Sequence, residues 1–186
     1  MSSSITPDIA GLRALSHPVR LRMLTLLRGE GPATATTLAQ RLDLNTGATS
    51  YHLRQLARHG FIEEDTERGN ARDRWWRAAN ESTRTAFREE GIVDDDVEAY
   101  LTTVALMYAD RMRAAVAEMA FLPEEWRTVG TLSDWEMTLT PAQAEALVQK
   151  LAEVIESAAE SDAGDAASFV INLNAYPRPG QQWDAR

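Results

Sequence analysis

The chain has 186 residues, 44% of them hydrophobic and none of them cysteine. That is enough to bury a core in one ordinary domain or two small ones, and it excludes disulfides, thiolate metal sites and thiol nucleophiles. The formal net charge of -9 is unevenly held: residues 1–78 carry 11 Arg against 8 acids (+3), residues 79–186 carry 8 Lys and Arg against 20 acids (-12). A basic module that meets an anion, followed by an acidic module with another task, is the expected organisation. No apolar run approaches the roughly 20 residues of a membrane span, and the opening MSSSITPDIA has neither the basic nor the apolar region of a signal peptide. The expectation is a cytoplasmic protein without a membrane partner.

In chain order, SHPVRLRMLTLLRGEG offers Ser16 as a cap, Pro18 in the first turn, and Leu21, Leu24 and Leu27 with Val19, Met23 and Leu26 around them. This predicts a buried helix ending at Gly29. TTLAQRLDL places Leu38, Ala39 and Leu42 at helical spacing, DLN is a short turn, and Asn45 suits the N-cap of a third helix that stops at Gly60. Two short helices joined by so short a turn make a helix-turn-helix.

On the third helix, Thr49, Leu53 and Leu56 recur at i, i+4 and i+7 and are expected to pack inward. The opposite face then carries Thr46, Gly47, Ser50, Tyr51, Arg54 and Arg58. Small residues come first, hydrogen-bonding groups next and cations last, which is the order a helix needs when its backbone approaches bases and its far end meets phosphates. Double-stranded DNA is the expected partner. Beyond Gly60 the segment FIEEDTERGNARDRWWRAA changes to a hairpin pattern, with Gly69 and Asn70 at the tip. Such a hairpin is a wing whose Arg68, Arg72 and Arg74 are candidate DNA contacts. Trp75 and Trp76, adjacent in a strand, point to opposite faces and read as core and strand-pairing residues.

These segments together, LSHPVRLRMLTLL, TTLAQRLDLNTGATSYHLRQLARHGFIEE and RDRWWRAA, resemble the ArsR-type winged-helix repressors, specifically their cysteine-free actinobacterial branch. The resemblance covers residues 8–80 and includes Ser50, His52, Leu53 and Leu56 in the recognition-helix pattern. It implies a homodimer that binds a palindromic operator and represses. Founding members sense metals through cysteines in the helix before the recognition helix, or through Asp and His on a later helix. Here TTLAQRLDL has no thiol and no histidine follows His59, so no metal and no cofactor are expected.

His52, beside Leu53 and Leu56, reads as a packed, hydrogen-bonded structural histidine, His17 as a residue near a helix start, and His59 as a group favoured by the helix C-terminus. No catalytic constellation stands out, so an enzyme is not expected.

In the second half, DDDVEAYLTTVALMYADRMRAAVAEMAF predicts a long helix opened by Asp94, Asp95 and Asp96. Val97, Leu101, Val104, Tyr108, Met112, Ala115 and Met119 follow steps of three and four, and this stripe is expected to pair with its copy in a partner chain. After LPEEWRTVGTLS, alternating Trp135, Met137 and Leu139 predict a strand. Thr140, Pro141 and Gln143 begin a capped helix with Ala144, Leu147, Val148, Leu151 and Ile155 on its apolar side, and SFVINLNAYP predicts a second strand. This strand-helix-strand unit is too small to stand alone. Tyr100, Met107, Tyr108, Trp126 and Trp135 are candidates for a small-molecule effector pocket.

The chain is thus expected to be α+β. A winged helix-turn-helix domain over residues 1–80 precedes an acidic dimerisation and effector-binding region over 81–186. The leading function is a dimeric DNA-binding transcriptional repressor released by a small organic molecule. The alternative is a winged-helix module that binds another protein.

Overall fold

The computed structural model describes residues 4–68, 73–84 and 94–181. The tip of the wing, with Gly69, Asn70 and Arg72, lies outside the described residues. The chain divides into two compact units, Met1–Pro123 and Glu124–Arg186. The division falls after the long helix, not at residue 80, so that helix groups with the winged-helix elements.

In the first unit β1 (Ser4–Ile5) precedes α1 (Ile9–Leu15), α2 (Pro18–Gly29), β2 (Ala33–Thr34), α3 (Ala35–Leu42) and α4 (Thr46–Arg58). β3 (Ile62–Glu64), β4 (Trp75–Ala78), β5 (Ser82–Thr83) and α5 (Asp94–Glu118) follow, and a 3-10 turn over Met119–Phe121 closes α5. The hairpin is antiparallel, with Ile62 opposite Ala78 and Glu64 opposite Trp76; β2 joins it as a third strand, Thr34 opposite Trp75. β1 and β5 form a separate short parallel pair.

Local chemistry explains the boundaries. The Asp8 carboxylate accepts the Gly11 N–H at 2.8 Å and starts α1, a helix that no sequence signal predicts. α2 begins one residue later than its expected cap: His17, not Ser16, caps it, its Nδ1 accepting the Val19 N–H at 3.2 Å. Ser16 instead donates its hydroxyl to the Leu12 carbonyl at 2.8 Å, finishing α1. Gly11 is required for space, because a Cβ there would come within 3.0 Å of the Pro7 side chain and 3.2 Å of Phe61.

The core is continuous through this unit. Leu12, Leu15, Met23, Leu24, Leu38, Leu53, Leu56, Phe61 and Ile62 are almost wholly buried, with Trp76 beside them. Each large aliphatic side chain so buried contributes about 1.5–3 kcal/mol. Trp75 is only half-buried, as opposite faces of a strand require. The first half of α5 belongs to the same core: Val97 and Tyr100 are buried, and Leu101, Val104 and Met107 pack against it. Polar ties fix this docking. Arg13 Nε donates to Asp96 at 2.8 Å, Thr103 donates its hydroxyl to the Ser16 carbonyl at 2.9 Å, and Thr25 donates to the Met107 sulfur at 3.4 Å.

The second unit contains α6 (Glu124–Arg127) and α7 (Pro141–Glu156). α7 opens on the expected capping box: Thr140 Oγ1 accepts the Gln143 N–H while the Gln143 side chain accepts the Thr140 N–H. The two expected strands are not formed: residues 135–139 and 168–176 join no ladder. A strand needs a partner for its backbone groups, and alternation of side chains alone does not supply one.

Candidate nucleic-acid interface

α4 is held by its buried side and presents the other. Asn45 caps it, the side-chain oxygen accepting the Ala48 N–H at 2.8 Å, and Thr49 donates its hydroxyl to the Asn45 carbonyl at 3.1 Å. Asp43, in the left-handed region at φ 54, turns the chain between α3 and α4, and the Leu44 N–H closes the turn on the Ala39 carbonyl at 2.9 Å. Aspartate is among the few non-glycine residues that tolerate this conformation. Thr49, Leu53 and Leu56 are buried, and Thr46, Gly47, Tyr51, Arg54 and Arg58 are exposed, with Ser50 half-buried between them. Tyr51 is 51% exposed, an unusual position for a ring with no function toward solvent. Among the described residues neither Arg54 nor Arg58 is in an ion pair, so both guanidinium groups face solvent with their charge unspent on a carboxylate.

The wing arginines differ. Arg68 lies 3.6 Å from Asp65, and Arg74 lies 3.2 Å from Glu64 with its guanidinium 5.8 Å from the Trp76 ring centre. Arg77, beside them, pairs with Glu63 at 2.7 Å. Reading residue types without their neighbours missed these carboxylates. The wing base is braced by Arg28, which donates from Nε to the Asn80 carbonyl at 2.7 Å and from a terminal nitrogen to Thr83 Oγ1 at 3.0 Å. Burial pushes the pKa of this guanidinium down to about 10.

Behind the exposed face lies a histidine pair. The His17 and His52 rings are 4.6 Å apart at 50°, and Tyr51 sets its edge against His52. His52 is packed as expected, but its Nδ1 is buried without a hydrogen-bond partner. Burial, before any charge, lowers the pKa of both histidines, and Arg20 lowers each further.

The five candidate effector residues are divided between the two units. Tyr100 is buried in the core of the first unit, where Met107 accepts from Thr25 and Tyr108 is half-buried. Trp126 and Trp135 belong to the second unit, Trp126 beside Phe169 at 6.3 Å and Trp135 81% exposed. A groove of about 380 Å³ lies elsewhere, between the segment before α1 and the end of α4, lined by Ile5, Pro7, Arg58 and Phe61 among others. Tyr100, Met107 and Tyr108 do not line it.

A capped recognition helix with an exposed polar and cationic face, seated on two helices and flanked by a three-stranded wing, defines a winged helix-turn-helix DNA-binding protein. Residues 15–65 match the family model described as a helix-turn-helix domain. The HTH-type transcriptional regulator YgaV of Escherichia coli (strain K12) is 33% identical over 67 residues, covering 36% of this chain and 68% of that protein. The chain belongs to the HTH-type transcriptional regulators. The apo structure of a Lactococcus lactis ZitR mutant is similar over 76% of this chain and 82% of that one, at 16% identity and a TM-score of 0.34, too loose a likeness to add to the assignment. The family is one of non-enzymatic DNA-binding regulators. No helix among the described residues is long and apolar enough to cross a membrane.

Proposed function

We propose that the protein is an ArsR-type repressor that acts in the cytoplasm as a homodimer on a palindromic operator and is released by a small organic effector. The observation that carries the DNA-binding part is the exposed face of α4: Thr46, Gly47, Ser50 and Tyr51 at its N-terminal half, with Arg54 and Arg58 beyond. Short side chains let the helix backbone enter a major groove, Ser50 and Tyr51 offer hydroxyls to base edges, and the two arginines reach a guanine or a phosphate. Arg72 on the wing meets the backbone alongside Arg68 and Arg74. An organic effector suits a chain without cysteine and without a histidine after His59.

Dimerisation is assigned to α5, in a narrower form than its full apolar stripe. Val97, Leu101 and Val104 are engaged in the chain's own core, so the outward-facing Met112 and Met119, with Tyr108 at the edge, are the residues left for a partner. Selecting bound duplexes from a random library tests the whole reading. A two-fold symmetric site with half-sites about one helical turn apart is the expected result. Recovery of no sequence preference, with binding that is indifferent to salt, would favour a protein-binding module instead.

A further inference from the structure

We propose that the groove between the segment before α1 and the end of α4 binds a small zwitterion with an apolar side chain, of the amino-acid class, and that this occupant draws Arg58 away from DNA. The inference rests on the effector-released DNA-binding reading above and gives the effector a place. At about 380 Å³ the groove has the size of a small-ligand site. Its apolar side is made by Ile5, Pro7 and Phe61, the last two buried. That side is firm. Gly11 lies so close to it that a Cβ there would come within 3.0 Å of the Pro7 side chain and 3.2 Å of Phe61.

Charge selects the occupant. The Asp8 carboxylate and the Arg58 guanidinium, of opposite sign and both exposed, line this one groove. Asp8 Oδ1 accepts the Gly11 N–H at 2.8 Å, and among the described residues neither Asp8 nor Arg58 is in an ion pair, with the other or with a third group. A carboxylate ligand without an amine would be attracted by Arg58 and repelled by Asp8, and an amine without a carboxylate would meet the reverse. A molecule with both charges at one end and an apolar group at the other suits every wall. Its carboxylate goes to Arg58, its ammonium to Asp8 and its side chain against Ile5, Pro7 and Phe61. Half-buried His59 also lines the groove, with a ring that can donate or accept a hydrogen bond.

The site bears on DNA through Arg58, the last residue of α4 and one of the two arginines on its exposed face. A ligand carboxylate that holds this guanidinium takes one cation from phosphate neutralisation. Occupancy should lower DNA affinity and reduce the salt slope by about one unit for each copy of the chain on the duplex.

The test uses the full chain, first without DNA. Calorimetric titration with L-leucine and L-phenylalanine should show saturable binding, weaker by about tenfold for phenylpropionate, which lacks the ammonium, and for phenethylamine, which lacks the carboxylate. Asp8→Asn keeps an oxygen to cap α1 and removes the charge, so it should weaken L-phenylalanine about tenfold and erase its advantage over phenylpropionate. Thr6→Trp, at an exposed position on the groove, should fill it and abolish binding. With the selected operator, L-phenylalanine should bring the parent to the affinity and salt slope of Arg58→Ala and leave that variant unchanged. Absence of binding, or binding that keeps its strength in both Asp8→Asn and Thr6→Trp, would overturn the proposal. Binding with undiminished operator affinity would overturn it too, and would leave the DNA-binding reading standing. Binding as expected by a protein that selects no operator would sustain the site and remove the regulatory reading instead.

Discussion

Ser50 and Tyr51 lie on the N-terminal half of α4, one half-buried and one exposed, and neither belongs to the core. Ser50→Ala or Tyr51→Ala should therefore cost on the order of 1–3 kcal/mol at the operator for each hydrogen bond to a base that is removed, with non-specific binding nearly unchanged. Titration of the operator and of a scrambled duplex at one salt concentration measures the difference; equal losses on both would deny these residues a reading role. The histidines behind them act on stability. Burial holds the pKa of His17 and His52 below the ordinary 6.5, so the folded protein binds fewer protons than the unfolded chain once the pH falls through that value. Stability is then whole above 6.5 and declines as the pH drops toward the lower folded-state values. Protonation also turns the His17 Nδ1 from acceptor to donor and cancels its cap on Val19. Melting temperatures taken from about pH 8 to about pH 5 should fall on the acid side, and His52→Phe should flatten part of that slope. An unchanged slope in the variant would place the acid sensitivity elsewhere.

α4 and the wing hold their arginines differently. Among the described residues the helix keeps Arg54 and Arg58 outside ion pairs, whereas Arg68 pairs with Asp65 and Arg74 with Glu64. A paired arginine must leave its partner, or share it, before it can neutralise a phosphate, and on the proposed reading a wing arginine adds affinity without sequence information. Arg72→Ala should weaken all duplexes alike and reduce the salt slope by about one unit for each phosphate no longer neutralised, twice over in a dimer. Loss of sequence preference in this variant alone would make the wing the reader. α2, α3, α4 and the hairpin were legible in the sequence because each combines a buried period with a cap or turn residue: Pro18, Asn45 and Gly60 mark ends that the structure keeps to within two residues. α1 was missed because IAGLRAL is a single short helix with no long period to detect. The capping role passed from Ser16 to His17 because serine had a nearer acceptor in the Leu12 carbonyl. The pairs of Arg74 with Glu64 and Arg77 with Glu63 depend on cross-strand register, Glu63 opposite Arg77 and Glu64 opposite Trp76, which the sequence does not specify. Residues 135–139 and 168–176 show the converse failure: a clear alternation, and no strand, because pairing is a property of two segments.

At the scale of the molecule, the apolar stripe of α5 read as one continuous seam in the sequence is two surfaces in the structure. Its first half serves the chain's own fold, with Val97 and Tyr100 buried, Thr103 bonded to the Ser16 carbonyl and Asp96 paired with Arg13. Charged residues at Leu101 or Val104 would strike that core and lower the stability of a monomer as much as that of any dimer. Beyond Met107 the helix is tied to the fold by the exposed pair of Asp110 with Arg22 at 3.7 Å. Met112 and Val116 on the helix and Met119 at the start of the 3-10 turn are exposed, beyond the last residue that packs on the core. Met112→Asp with Met119→Asp should leave the first unit's melting temperature within the small range of surface changes and shift the protein toward monomer in sedimentation. The consequence should reach DNA. A dimer places two recognition helices and two wings on one operator, so its salt slope counts the phosphates of both halves. The substituted protein should bind the palindrome with a slope about half that of the parent and bind an isolated half-site as the parent does. A variant that remains dimeric with the full slope would assign the contact to another surface, and one that also loses half-site binding would show that the second half of α5 supports the winged helix after all.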